Sequence, residues 1–523
     1  VALRLHRAGY LVAMTDLAEP TAIRWTVSFC PAILQGTAMV EDVRGRLAKG
    51  EADALAAGEI DTVGTDHCSF DFYGPKQLGR EDFAKIPNGI PGVEHRPVLL
   101  YTAGVAAGLD LEMPSSGGVT DREIVRAVRA GRLDEAALDA LCARVLRLAL
   151  AHAPQRKKAY PAPVHNVAAV RRMLDRHHAL AVRAARESAV LLKNEGRVLP
   201  LAPKVAVVGA RAGRRCRYQG AGSSLINAHG RPDFLHALVR GGCRDAAYAP
   251  GYDPDSECVD AKLEEKALNA ARGADTVLLF LGLTDLFETE GYDRAHMRLP
   301  FNQLHLLDRL AGAGKDVVVV LAGGSPVETP WLPRAKAVLY TALGGEGVGE
   351  AVFQLLYGRA CPAGRLAETW PKRLEDTPAA RHWPMGPDAV TYNESIYVGY
   401  RYYDKAHVDV RFPFGYGLSY TSFAYSGLTL SRKVLAPGKA IEVLFTVENT
   451  GAMAGVETAQ VYVAHRNSAA HQPVRTLAGF ARVALKPGER KTVCVTLPPS
   501  ALEFYDVARH AFVVEAGRYE VSV

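Results

Sequence analysis

A chain of 523 residues with 48% hydrophobic and 23% charged residues carries enough apolar material for several cores, which excludes a disordered or fibrous protein. Its net charge of +6 comes from 62 basic against 56 acidic residues interspersed along the chain. A nucleic-acid binder gathers its basic residues on one face, so no nucleic-acid partner is expected; no apolar run reaches the roughly 20 residues that span a bilayer, so no membrane partner is expected either.

The chain opens on Val1 with no charged-then-apolar signal segment, and reads as a cut or processed end. Its eight cysteines are Cys30, Cys68, Cys142, Cys216, Cys243, Cys258, Cys361 and Cys494, with no close pairs of the kind a zinc site needs. No metal is expected. The spread suits reduced thiols and favours a cytoplasmic location, with a Cys243–Cys258 bridge as the alternative.

In chain order, the first strong periodicity lies at 119–153, where apolar residues recur every three or four positions behind Thr120 and Asp121. That pattern predicts helix. A second helix is expected over roughly 167–190, ending in ESAVLLKNEGRVLPL (187–201), whose Asn194-Glu195-Gly196 turn reads as a linker into a new domain. From Lys204 the rhythm changes. The runs 204–210, 275–283, 315–324 and 337–345 are short, rich in Val and Leu, and end at or beside glycine, with helical segments between them. Such strands predict a mainly parallel sheet covered on both faces, with ligands at the strands' carboxyl ends, after Gly209, Gly282 and Gly324. The basic stretch from Arg211 to Arg217 reads as a solvated loop. After Tyr420, alternating apolar and polar runs separated by Gly, Pro and Asn turns predict a small two-sheet β-sandwich of the fibronectin type III kind.

The loop after Leu283, TDLFETEGYDRAHMRLPFNQ, places Asp285, Glu288, Glu290, Asp293 and Arg294 within ten residues at the mouth of the sheet. Paired carboxyls are what glycoside hydrolysis requires, one to donate a proton and one to attack or activate water. On composition alone, a solvated acidic loop is the commoner reading.

ETEGYDRxxMxLPxxQ resembles the acid/base loop of family 3 glycoside hydrolases of the β-glucosidase type. So do, in the family's order, AAGLDLEMP (106–114), the 187–201 run, VAVVGARAG, YQGAGSS (218–224), the 344–371 segment, YNESIYVGYRYYD (392–404) and FPFGYGLSYTSF (412–423). The resemblance spans about residues 106–523. It implies Glu288 as acid/base with Glu290 as the alternative, and Asp293 with Arg294 as an ion pair near the substrate. It implies that the glycines of GGEGVGEA are structural and that the aromatics of FGYGLSY pack rather than bind sugar. The family's nucleophile, an aspartate ending a barrel strand, has no counterpart just before GLDLEMP; the one imitation is Asp16 in GYLVAMTDL (9–17). Residues 59–105 are instead similar to the closing part of the dihydropyrimidinases and hydantoinases, whose metal-ligating TDH aspartate matches Asp66, next to His67. That family's other ligands are missing, which makes Asp66 a relic or structural residue.

A closed eight-fold barrel needs at least about 200 residues. The expected architecture is therefore α/β and multidomain: an incomplete β/α barrel remnant over 1–160 (59–105 hydantoinase-like, 106–160 the end of a glycosidase barrel) and a linker over 161–203. An α/β sandwich bearing the acid/base loop follows over 204–372, then a connecting segment over 373–423 and a fibronectin type III-like domain over 424–523. Unpaired barrel edges would favour a homo-oligomer. The implied activity is a retaining, exo-acting β-glucosidase on a small β-glucoside or oligosaccharide, without cofactor. The alternatives are a metal-dependent cyclic-amide hydrolase and a non-catalytic carbohydrate-binding remnant.

Overall fold

The computed structural model describes residues 37–40, 43–46, 110, 119–159, 167–202, 204–220, 225–289, 294–380, 382–383 and 391–523. The chain divides into two units, Val1–Val167 and Ala168–Val523. Within the first, β1 (Thr37–Val40) and β2 (Val43–Arg46) form an antiparallel hairpin. The helical periodicity becomes α1 (Val119–Arg129) and α2 (Glu135–Ala159). Gly131 adopts a left-handed φ of +70° between them, and the Asp134 carboxylate accepts from the Ala136 N–H to start α2. Ile124, Ala127, Leu133 and Leu141 are buried where the two helices meet. The expected barrel remnant otherwise lies outside the described residues.

The second unit begins with α3 (Val167–Ser188) and a six-stranded sheet ordered β3-β8-β7-β6-β4-β5. Its strands are β3 (Val190–Asn194), β4 (Val205–Val208), β5 (Tyr248–Ala249), β6 (Thr276–Gly282), β7 (Asp316–Ala322) and β8 (Ala337–Tyr340). All pairings are parallel except β3 with β8. Strand β3 corrects the expected linker over 161–203. Its apolar part, Val190 to Leu192, is too short to show a period, and reads equally as the tail of a helix.

Near-continuous apolar strands make sense once both faces are covered. Val277, Leu279 and Leu281 of β6 face one way with Val317, Val319 and Leu321 of β7, against α5 (Ala261–Ala271) and α6 (Phe301–Gly312). Leu278 and Phe280, with Val318 and Val320, face the other way against α4 (Phe234–Arg240) and α7 (Val348–Leu356). Gln303 of α6, fully buried, accepts from the Gly282 N–H and donates to its C=O, both at 2.9 Å, fixing the end of β6 from which the acidic loop departs.

The sequence next forms the short pair β9 (Trp370–Pro371) and β10 (Val410–Phe412), with α8 (Tyr400–Ala406) between them. The closing sandwich has sheets β11-β12-β15 and β14-β13-β18, plus the hairpin β16-β17. These strands are β11 (Phe423–Leu430), β12 (Ile441–Asn449), β13 (Gly455–Arg466), β14 (Thr476–Leu485), β15 (Arg490–Leu497), β16 (Phe504–Asp506), β17 (Ala511–Val513) and β18 (Arg518–Ser522). Val443, Phe445 and Val447 alternate inward opposite Ala459, Val461 and Val463, the two-residue period the sequence displays. Arg365 and Glu457 tie sheet domain to sandwich through a mostly buried 2.5 Å ion pair. The FGYGLSY aromatics pack as expected: Tyr416 lies 5.0 Å from Phe412, and the Tyr420 hydroxyl donates to Leu355 O at 3.0 Å.

Candidate active site

The loop leaving β6 turns back over the sheet at once. Buried Thr284 accepts through its carbonyl from the N–H groups of Phe287 and Glu288, both at 3.1 Å. This turn sends the Glu288 side chain toward the loop after β7, where its Oε1 accepts from the Gly324 N–H at 2.5 Å and from Ser325 Oγ at 3.2 Å. Its Oε2 accepts from Arg217 Nη2 at 3.1 Å. Only 11% of the Glu288 side chain is exposed. Carboxyl ends of parallel strands gather such contacts because their loops all leave on the same side.

Arg217 is the second half of the arrangement. Its side chain is 3% exposed, and its guanidinium forks between the Glu288 carboxylate and the Asp285 carboxylate, which is itself 75% exposed. Arg294 supports the same carboxylate from the far side: its Nη1 donates to Ser325 Oγ at 2.9 Å and to Pro326 O at 3.1 Å. Burial pushes the Arg294 guanidinium below its ordinary range, and the negative charges of Glu288 and Glu328 work against that. Its Nε and Nη2 have no partner among the described residues. Glu288 thus sits between two cations, touching Arg217 directly and Arg294 through the Ser325 hydroxyl.

A further carboxyl faces this cluster. Burial pushes Glu368 above the ordinary carboxylate range; the Trp370 indole opposes the rise and the Glu288 charge adds to it. Tyr340, whose hydroxyl donates to Gly323 O at 2.8 Å, is pushed up by burial and by the charges of Glu368 and Glu288. The arrangement can fix a carboxylate, hold the loop in place and keep close by a second carboxyl whose affinity for a proton is raised by burial.

Of the residues expected from sequence, Glu288 and Arg294 meet through Ser325. Asp16, Glu290, Asp293, Asp66 and His67 lie outside the described residues, and with them the Asp293–Arg294 ion pair. The solvated reading of Arg211 to Arg217 is corrected: Arg211 and Arg217 are 7% and 5% exposed, while Arg214 and Arg215 between them are solvated. Arg211 donates to the carbonyls of Arg215, Pro254 and Leu283. Composition cannot separate a buried arginine from an exposed neighbour, but a mostly buried carboxylate in the facing loop, Glu288, requires a cation beside it. Glu368, inside the LAETWP run, has no local signal of its environment.

Gly209, which follows β4, has a φ of +112°, and a Cβ there would strike the Phe280 carbonyl. The glycines of GGEGVGEA are structural, as expected: a Cβ on Gly347 would meet the α3 backbone at Val182. In the same segment Glu346 accepts from the His229 N–H at 2.6 Å and lies 2.8 Å from His178 Nδ1. Cys243 and Cys258 are free thiols, which removes the alternative bridge. No group of three or more His, Cys, Asp or Glu is placed to hold a metal among the described residues, and none of their helices is long and apolar enough to cross a membrane.

Comparison with known proteins places these features in context. Over 425 residues the chain is 40% identical to thermostable beta-glucosidase B of Acetivibrio thermocellus, covering 80% of this chain and 55% of that protein. It is 38% identical over 433 residues to an exo-alpha-(1->6)-L-arabinopyranosidase of Bifidobacterium breve, with the same coverages. The chain spans about half the length of these curated relatives. Among solved structures it is similar to a GH3 beta-glucosidase of Bifidobacterium adolescentis (TM-score 0.69, 38% identity, 80% of this chain and 60% of that one). It is also similar to beta-glucosidase 3B of Thermotoga neapolitana in complex with glucose (TM-score 0.63, 27% identity, 80% and 62%). Residues 189–420 match the model of the glycosyl hydrolase family 3 C-terminal domain, and residues 457–523 that of the fibronectin type III-like domain. Over residues 189–420 the chain is therefore similar to the C-terminal domain of glycosyl hydrolase family 3, and over residues 457–523 to a fibronectin type III-like domain.

Proposed function

We propose that this chain is a retaining, exo-acting β-glucosidase that removes terminal non-reducing β-D-glucosyl residues, with its acid/base supplied by the loop after β6. The observation that carries the proposal is the seating of that loop at the carboxyl end of a family 3 sheet, by the Glu288 contacts to Arg217, Gly324 and Ser325. In the retaining sequence, a carboxylic acid protonates the glycosidic oxygen as its bond to the anomeric carbon breaks, and a carboxylate attacks that carbon. Water then attacks the glycosyl-enzyme, the first residue takes the water's proton, and the sugar leaves with its configuration kept. The two carboxyls work about 5–5.5 Å apart.

The partners of Glu288 bear on which glutamate donates. Each described contact donates to Glu288, and an ionised carboxylate accepts them all. A residue so occupied suits anchoring better than proton donation. We therefore assign Glu288 to holding the loop and Glu290, the alternative from the sequence, to the acid/base role. Asp16 is retained as the nucleophile to test. Arg294 positions Ser325, and Asp293 remains a proposed substrate contact. The domain limits read from the sequence stand as proposals, with β3 moved into the sheet domain. A homo-oligomer is likewise a proposal, for light scattering to decide.

The substrate is a small glycoside, and the two relatives point to two sugars. The test is hydrolysis of 4-nitrophenyl β-D-glucoside and α-L-arabinopyranoside by the parent and by Asp16→Ala, Glu288→Ala and Glu290→Ala. Rates unchanged in all three variants would remove the proposed site, and no turnover in a folded parent would support the carbohydrate-binding remnant. The likeness of residues 59–105 to hydantoinases lies outside the described residues and outside both domain matches, and no observation favours a cyclic-amide hydrolase.

A further inference from the structure

We propose that the segment joining the sheet domain to the sandwich carries a second saccharide-binding site, separate from the loop after β6. A cavity of about 460 Å³ opens there, between the Leu374–Asp376 turn, the 393–397 turn and the end of α8. Small-ligand pockets run from about 300 to 1,000 Å³, so this one admits a monosaccharide or disaccharide. Its walls include Glu375, Asn393, Glu394, Tyr397, Tyr402 and Lys405.

The chemistry of these walls selects the ligand. Nearby Asp376 is already engaged by Arg373 at 2.8 Å. The side chains of Asn393, Glu394 and Lys405 make no hydrogen bond or ion pair with another described residue. The hydroxyl of Tyr397 is buried and has no hydrogen-bond partner among the described residues, a costly state for a polar group. Tyr402 is braced edge-on against buried Tyr403, with ring centroids 5.2 Å apart. Carboxylates accept, an ammonium donates, and an amide and a phenol do both. A sugar presents hydroxyls that do both and C–H faces that lie on tyrosine rings. A metal cation would meet the Lys405 ammonium, and an anion would meet Glu375 and Glu394. A neutral polyol meets neither obstacle.

The site is anchored to the sheet domain through the Leu374 N–H, which donates to Glu328 Oε1 at 3.2 Å. The proposal does not depend on the glycosidase reading, and its test keeps the two apart. D-glucose is titrated against the full chain by saturation-transfer NMR, in the parent and in Glu394→Gln and Tyr397→Phe, and hydrolysis of an aryl β-glucoside is followed in the same three proteins. The parent should bind saturably with a dissociation constant in the millimolar range. Glu394→Gln and Tyr397→Phe should each weaken that binding about fivefold or more, the share of one hydrogen bond, and leave the rate of hydrolysis unchanged. Both wall variants conserve shape, and matching thermal melts show that they fold. Undiminished affinity in the two wall variants, or no saturable binding by the parent, would overturn the proposal.

Discussion

Replacing Arg217 by alanine should unseat the loop after β6. The guanidinium is 3% exposed and its Glu288 partner 11%, so solvent screens this pair little; the Asp285 partner is 75% exposed and contributes little. Removing one member of a buried pair costs about 3–5 kcal/mol, chiefly because the other charge is left uncompensated. Glu288 keeps the Gly324 N–H and the Ser325 hydroxyl, which places the expected loss at the low end, about 3 kcal/mol. Arg217→Lys should recover part of it, since one ammonium cannot fork between two carboxylates. Urea unfolding, followed at the transition of the sheet domain, measures the loss. A double-mutant cycle with Glu288→Gln isolates the pair and should return a coupling of at least about 1 kcal/mol. Turnover of an aryl glycoside should fall about a hundredfold, as expected for a misplacement near 1 Å. A stability change under about 0.5 kcal/mol with additive effects in the cycle would refute the claim that Arg217 holds the loop.

Three further outcomes follow from other parts of the molecule. Hydrogen bonds from Lys193 and Lys336 hold the Glu195 carboxyl down at about 2, from an ordinary value of 4.5. Its contribution is thus present above pH 4.5 and lost as pH falls toward 2, so the urea midpoints of parent and Glu195→Gln should differ at pH 7 and converge near pH 2; a gap independent of pH would contradict this. Breaking the Arg365–Glu457 pair with Arg365→Ala should destabilise the junction of sheet domain and sandwich by about 3 kcal/mol or more, and an unchanged urea midpoint would show that the pair is not needed there. Burial, with the Asp233 charge, pushes the Cys216 thiol up to about 12, whereas Cys142, Cys258 and Cys494 are exposed. Maleimide labelling at pH 8 with peptide mapping should therefore mark those three well before Cys216, and equal rates would count against the burial of its sulfur.

Much of this architecture was legible in the residues. The runs at 204–210, 275–283, 315–324 and 337–345 read as buried parallel strands because, behind the charged residues that open the first three, they are mainly apolar on both faces, and the structure supplies helices on both. The sandwich was legible from alternation such as Val443, Phe445 and Val447. Strand β3 was not, because four apolar residues after a helix carry no period that distinguishes strand from continued helix. The acidic loop could be placed at the mouth of the sheet, and Glu288 singled out within it. What stayed hidden was the state of each side chain. Arg217 and Arg215 are the same residue type two positions apart, yet one is buried between carboxylates and the other lies at the surface. Tertiary contacts from residues 70 positions away decide the difference, and no local pattern records them. The environment of Glu368 is hidden for the same reason.

The division of labour between Glu288 and Glu290 is tested most directly by the dependence of kcat/KM on leaving-group acidity, across aryl glycosides from dinitrophenyl to unsubstituted phenyl. An enzyme that lacks its acid keeps activity on leaving groups that need no proton and loses it on those that do. The account predicts that Glu290→Gln steepens this dependence, by roughly 10²–10⁴-fold on the poorest leaving group, and that added azide restores turnover by taking the place of the activated water. Glu288→Gln should lower all substrates together and lower stability with them. The reverse pattern, with steepening and azide rescue in Glu288→Gln and a uniform loss in Glu290→Gln, would contradict the account and return the acid/base role to Glu288.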